Sequence, residues 1–117
     1  EPLTARKRWI AGMVATVGAI IIDDGAVAAL RAGKSLLPAG VTGVEGSFDR
    51  GDAIVVKTAG RRTIGRGLTA YSSADAALIM GRKSRDIEDI LGYRGRDEMI
   101  HRDDLVTEPS ALEAPDK

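Results

Sequence analysis

Residues 33–35 read Gly-Lys-Ser, the last three letters of a phosphate-binding P-loop. That loop needs Gly-x-x-x-x-Gly-Lys-Ser/Thr, because two glycines let the backbone wrap a phosphate, and it follows a strand and opens a helix. Here the upstream position holds Ala28, and Gly33 closes a helix-like stretch instead of opening one. Pro38 and Gly40 come next, and neither suits a helix interior. A nucleotide cradle is therefore excluded, and Gly33-Lys34-Ser35 reads as a junction after a helix.

Other reactive side chains are sparse. His101 is the only histidine, with Asp97, Glu98, Asp103 and Asp104 near it in sequence. An imidazole among carboxylates can ligate a metal. On a strand, however, His101 and Asp103 share a face while Asp104 points away, so no metal site is expected. His101-Arg102-Asp103 also matches the His-Arg-Asp of protein-kinase catalytic loops, but Thr107 and Glu108 stand where that loop carries Asn. Ser35, Ser72, Ser73 and Ser84 lack a nucleophile-elbow context, and Ser72 and Ser84 sit where helices need caps. No catalytic residue is expected.

Basic side chains are the richer resource. Arg61, Arg62, Arg66, Arg82, Lys83 and Arg85 lie in a segment, Arg50 to Arg96, with ten Lys/Arg against five Asp/Glu, a balance of +5. From Asp97 to Lys117 the count is two against seven, or −5. Guanidinium forks suit phosphates, so the middle could face an anionic partner while the tail does not. Only Tyr71 and Tyr93 could serve as stacking platforms, so recognition of an RNA duplex by shape fits better than base stacking. A solvated basic surface with no nucleic-acid partner is the open alternative.

The elements that would position these residues are short. Ala19–Ile22 is a β-branched run with the signature of a buried strand. Asp23 and Asp24 offer N-cap oxygens, Val27 and Leu30 share a helical face, and Gly33 is a natural C′ residue. Leu36 to Val44, broken by Pro38, Gly40 and Gly43, predicts an irregular or edge strand. Residues 48–52 form a turn, Ala53–Lys57 a strand, Ala59-Gly60-Arg61 a hairpin turn and Thr63–Tyr71 a second arm. Gly65 and Gly67 in that arm predict a bulge or a close backbone approach. Ser72-x-x-Asp75 predicts a capped helix with Ala74, Ala77 and Leu78 on one face. Ser84 predicts the cap of another, carrying Ile87, Ile90 and Leu91 before Gly92. Met99–Val106 is a candidate last strand. Arg6–Trp9, basic and then apolar, is the end of a preceding helix or an entry strand.

Together these give an α+β fold, mostly β: a small closed or partly closed barrel of about five or six short strands with short flanking helices. The chain has 117 residues, enough for one domain with a modest core built on Val, Ile, Leu and Ala. The absence of cysteine fits a reducing cytoplasm. Glu1 in first place suggests a processed or cut piece. No stretch approaches the roughly 20 apolar residues that span a bilayer, and no signal-peptide pattern opens the chain, so no membrane partner is expected.

At Ser35-Leu-Leu-Pro-Ala-Gly-Val41, Phe48-x-x-Gly-Asp52 and Gly65-Arg-Gly-Leu-x-x-Tyr-Ser-Ser73, the sequence resembles a PUA domain, a small mixed pseudo-barrel often found on RNA-modifying enzymes. Arg6–Gly12, Asp24–Val27, Ser35–Val41, Leu91–Gly95 and Ile100–Val106 resemble, in order, the C-terminal region of the bacterial glutamate 5-kinase family. That resemblance implies a parent enzyme of proline biosynthesis using ATP and magnesium, whose kinase domain precedes this region. It implies residues 1–12 as the trailing edge of that domain, 13–106 as the PUA domain and 107–117 as a flexible acidic tail. This domain itself would hold no cofactor. It would act as a cytoplasmic, non-catalytic regulatory or assembly module, partnered by the kinase domain, with the parent enzyme as a route to an oligomer. In RNA-bound PUA relatives, contacts come from the first helix and the neighbouring glycine-containing strand. The matching positions are Gly25, Ala26, Lys34, Ser35, Leu36, Leu37, Pro38, Ala39, Gly40 and Val41. Structured RNA is thus a candidate partner; a free-standing RNA-binding PUA module unrelated to proline synthesis is the alternative.

Overall fold

The β-branched run at Ala19–Ile22 forms a largely buried strand, as expected. A computed structural model of the chain describes residues 5–12 and 15–107, so residues 108–117 of the expected tail lie outside it. In order along the chain come α1 (Ala5–Gly12), β1 (Gly18–Ile22), α2 (Asp24–Arg31), β2 (Val41–Gly46), β3 (Ala53–Thr58) and β4 (Thr63–Leu68). Then follow α3 (Ser73–Ile79), α4 (Ile87–Leu91) and β5 (Leu105–Thr107). The five strands make one mixed sheet ordered β2-β1-β3-β4-β5. β1 lies parallel to β3, with Ile20 opposite Val56, and the other pairings are antiparallel.

Outside the two edge strands the sheet closes on itself. Leu36 donates its amide to the Ile100 carbonyl at 2.9 Å, and the amides of Met99 and Ile100 return to the Leu36 carbonyl. The chain just before β2 thereby meets the chain just before β5, satisfying backbone groups that an open edge would expose. Ile20, Ile22, Ile54, Val56 and Ile64 fill the interior and are essentially unexposed. Each such side chain contributes about 1.5–3 kcal/mol through burial. Gly65 and Gly67 permit the close approach that the sequence predicts: a Cβ on Gly65 would sit 2.5 Å from the Val106 carbonyl oxygen, and one on Gly67 2.7 Å from that of Asp104.

Several expectations need correction. The strand expected from Leu36 begins only at Val41, because Pro38 opens a 3₁₀ turn over Pro38–Gly40. The last strand is interrupted at Arg102–Asp104, where His101 caps a 3₁₀ turn by accepting the Asp103 amide on Nδ1 at 3.1 Å. That bond needs the Nδ1 lone pair, so the 3.6 Å approach of Asp103 Oδ2 to the same atom is proximity and not an ion pair in this geometry. The second arm of the hairpin ends at Leu68, and Thr107 is the last residue of β5, opposite Gly65. Ala74, Ala77 and Leu78 do share a face of α3, but it is the exposed one; Ala76 and Ile79 point inward. Ser72 caps α3 through the Asp75 amide as expected, whereas Ser84 donates its hydroxyl to the Asp97 carbonyl at 2.6 Å and caps nothing. Arg6–Trp9 is helical. Ile10, next in α1, is fully buried, and the helix packs on β4, β5 and the 102–104 turn.

Candidate functional site

The Gly33-Lys34-Ser35 junction is a helix stop built from backbone hydrogen bonds. Gly33, at φ +79°, donates its amide to the Leu30 carbonyl, and Lys34 donates to that of Ala29, both at 3.0 Å. This paired closure satisfies the last carbonyls of α2 and requires a residue that tolerates left-handed backbone. At the other end of α2, Asp23 Oδ1 accepts the Ala26 amide at 2.8 Å. The Asp23 amide donates to the Gly40 carbonyl at 3.0 Å, which ties the 38–40 turn to the start of the helix.

Between α2 and residues 34–40 lies a groove of about 410 Å³. Of the ten expected contact positions, eight line it: Gly25, Ala26, Lys34, Ser35, Leu36, Leu37, Ala39 and Gly40. Pro38 and Val41 are turned into the core. Leu36 is a buried floor whose backbone is committed to Ile100, while Leu37, 47% exposed, is a free apolar wall. Ser35 Oγ accepts the Arg102 amide at 2.7 Å and keeps its own proton to donate. Lys34 is exposed beside these groups. Gly40, besides lining the groove, has a packing role. A Cβ there would lie 2.7 Å from Ala26 Cβ, so its missing side chain lets the turn press against α2. Gly25 is exposed and leaves the backbone at the start of α2 accessible.

Sequence reasoning missed three groove residues: Asp23, Ala29 and Glu98. Asp23 was legible as a cap, and its place at the groove follows from that role. Glu98 arrives only through the Leu36–Ile100 bridge, a pairing 64 positions apart that no local pattern announces. The groove is thus mainly apolar, and its described lining includes one cation, Lys34, and two carboxylates, Asp23 and Glu98. Such a surface holds flat or aliphatic groups by burial, offers Lys34 to one anionic group and offers Glu98 to hydrogen-bond donors.

The basic residues of the middle segment do not gather at this groove. Arg61, at φ +68°, grips Glu45 with two bonds of 2.6 and 2.9 Å, a pair that lowers the Glu45 carboxyl and raises the Arg61 guanidinium. Arg62 and Arg66 have partners of their own, and Arg82, Lys83 and Arg85 stand exposed between α3 and α4. Neither tyrosine lines the groove. Tyr71 is buried and donates its hydroxyl to the Arg96 carbonyl; burial, with nearby Asp97, raises its phenol above the ordinary value. Tyr93 is 41% exposed and donates to Asp75 Oδ2 at 2.6 Å, which pushes its phenol up to about 12. Among the described residues no group of His, Asp and Glu could hold a metal ion.

The PUA domain family model matches residues 18–91, from β1 to the end of α4. This chain belongs to the PUA domain family. The PUA fold is also that of a crystal structure of a PUA domain from Aeropyrum pernix K1 in a tartrate complex, at TM-score 0.53 and 26% identity, covering 72% of this chain and 41% of that one. An archaeal box H/ACA sRNP structure matches at TM-score 0.50 and 22% identity over 79% of this chain and 23% of that one, a likeness of fold. Nearer in sequence are proteins named glutamate 5-kinase. That of Nitrobacter winogradskyi is 64% identical over 106 residues, 91% of this chain, and that of Paramagnetospirillum magneticum 58% over 108 residues, or 92%. The chain spans only 28–29% of the length of these relatives. The matched segment therefore corresponds to their PUA domain and not to a kinase domain.

Proposed function

We propose that this PUA domain is the non-catalytic regulatory or assembly module of a cytoplasmic glutamate 5-kinase, and that its groove receives RNA. Identity of 58–64% to proteins of that name supports the first half and favours it over a free-standing module. In this reading glutamate, ATP and magnesium belong to the kinase part of the relatives, and that part is the partner in the same polypeptide. The single observation behind the second half is that eight of the ten positions implied by the family resemblance line one groove. Its apolar walls would take a base or ribose, Lys34 would meet a phosphate, and Glu98 would accept hydrogen bonds from a base edge.

Two measurements test this. In a full-length relative, deleting the segment equivalent to residues 18–107 should leave glutamate phosphorylation in place while altering its control or the oligomeric state. Unchanged control and assembly would sink the regulatory reading, and so would glutamate phosphorylation by the present chain alone. For the groove, the chain is titrated with structured RNA at low and at moderate salt. Binding should weaken with salt and fall in Lys34→Ala; no binding at either salt, or binding indifferent to that substitution, ends the RNA reading.

A further inference from the structure

The loop after α4 builds a further concavity, of about 430 Å³, that shares no lining residue with the groove. Tyr93, Arg94 and Arg96 border it from the loop, and Arg50 borders it from the turn before β3. The loop is held on both sides. Tyr71, underneath, donates its hydroxyl to the Arg96 carbonyl, and Gly95 lies so close to the Tyr71 ring that any side chain there would collide with it. The Tyr93 hydroxyl is tied to Asp75 on α3, so its ring is fixed while much of it stays in solvent. Neither Arg50 nor Arg96 has a side-chain hydrogen bond or ion pair among the described residues, and Arg94 reaches only Glu88, at 4.0 Å between two exposed side chains. Among the described residues no carboxylate lines this concavity; Asp75 meets it only through its bond with the Tyr93 hydroxyl, Asp97 borders the neighbouring depression and Glu98 the groove.

We propose that this concavity is a phosphate site that takes a nucleotide unit, with the Arg50 and Arg96 guanidiniums on the phosphate and the Tyr93 ring against the base. Guanidinium forks match phosphate oxygens and are weakly hydrated, so an anion displaces little water from them. A fixed aromatic ring offers a stacking face to any base. The volume lies within the range of small-ligand sites. Two sources carry this chemistry, a free nucleotide and an RNA strand. For the second the site extends the groove. Arg96 and Glu98 are two residues apart, at most about 7 Å along the backbone, so a strand leaving the groove meets Arg96 directly.

The RNA arm rests on the groove reading, whereas the free-nucleotide arm does not. The test titrates the chain, followed by amide chemical shifts, with adenosine monophosphate and with a short single-stranded oligoribonucleotide. The variants are Arg50→Gln with Arg96→Gln, Tyr93→Leu and Lys34→Ala, each checked for native far-UV spectra. Loss of the two guanidiniums should weaken binding about tenfold or more, and Tyr93→Leu should weaken the nucleotide but not inorganic pyrophosphate. If adenosine monophosphate binds and only Lys34→Ala leaves it unchanged, the source is a free nucleotide. If only the oligonucleotide binds, and both the arginine pair and Lys34 matter, the source is RNA. Oligonucleotide binding that depends on the arginines but not on Lys34 supports this site and overturns its continuity with the groove. Binding that depends on Lys34 but not on the arginines, or no binding of either probe, overturns the site.

Discussion

Replacing Ile10 by alanine asks whether α1 is part of the domain or an appendage to it. Ile10 is fully buried where α1 packs on β4, β5 and the 102–104 turn. The substitution removes three carbon groups, about 2.4 kcal/mol at about 0.8 kcal/mol each. A cavity that the surrounding sheet cannot close brings the total to about 3 kcal/mol, within the usual range for such changes. A domain of this size has about 5–10 kcal/mol in hand, and each kcal/mol shifts Tm by about 4–8 °C. Ile10→Ala should therefore lower Tm by about 12–24 °C. Trp9, the only tryptophan, sits beside Ile10 on α1 and is 47% exposed, so its emission reports that helix while far-UV circular dichroism reports the whole. The two signals should melt together in the parent and in the variant. An unchanged dichroism midpoint in Ile10→Ala, with Trp9 emission melting at lower temperature, would refute the integral role of α1.

Gly67→Ala should destabilise by about 1–3 kcal/mol, because its Cβ would press on the Asp104 carbonyl and on Ile100 Cγ2, both at 2.7 Å; amide exchange in β5 should rise first, and a protected β5 would contradict the close-approach argument. Asp23→Ala removes the α2 cap and should cost about 1 kcal/mol in a urea melt. Tyr93 titrates near 12 in the fold against about 10 when unfolded, since the neutral phenol is the donor to Asp75. The contribution of that bond is complete below about pH 10 and is lost as pH rises through the folded value. Both tyrosinate transitions should come late in a spectrophotometric titration, since Tyr71 is raised too; in a Tyr71→Phe background Asp75→Asn should bring the Tyr93 transition down, and an unmoved transition would sever Tyr93 from Asp75.

Legibility in the sequence followed locality. The α2 cap at Asp23, the stop at Gly33 and the Ser72 cap each depend on residues within a few positions, and each stands where the sequence predicts. Pro38 and the 102–104 turn were misplaced because an apolar run does not say where a strand yields to a tight turn; backbone pairing across the molecule decides that. The outward face of α3 was misleading for a related reason. Alanine carries little hydrophobic signal, so helical spacing alone could not choose between Ala74/Ala77 and Ala76/Ile79. At the groove, the eight positions came from family resemblance, whereas Glu98 and the arginine-bordered concavity depend on which distant loops the sheet brings side by side.

The contact between α1 and β5 also sets an order of events during synthesis. Arg6 meets Asp104 at 2.5 Å, 98 positions away, and Ile10 rests on strands completed only at residue 107. Contacts of such separation form late, after the chain that joins them has been ordered or made. On the ribosome, α1 must wait exposed, with Trp9 and Ile10 uncovered, until β5 emerges to receive it. Whatever precedes α1 in a longer polypeptide folds during that interval without this domain to lean on. A chain cut short before residue 105 would lose its last strand and the anchor of its first helix together.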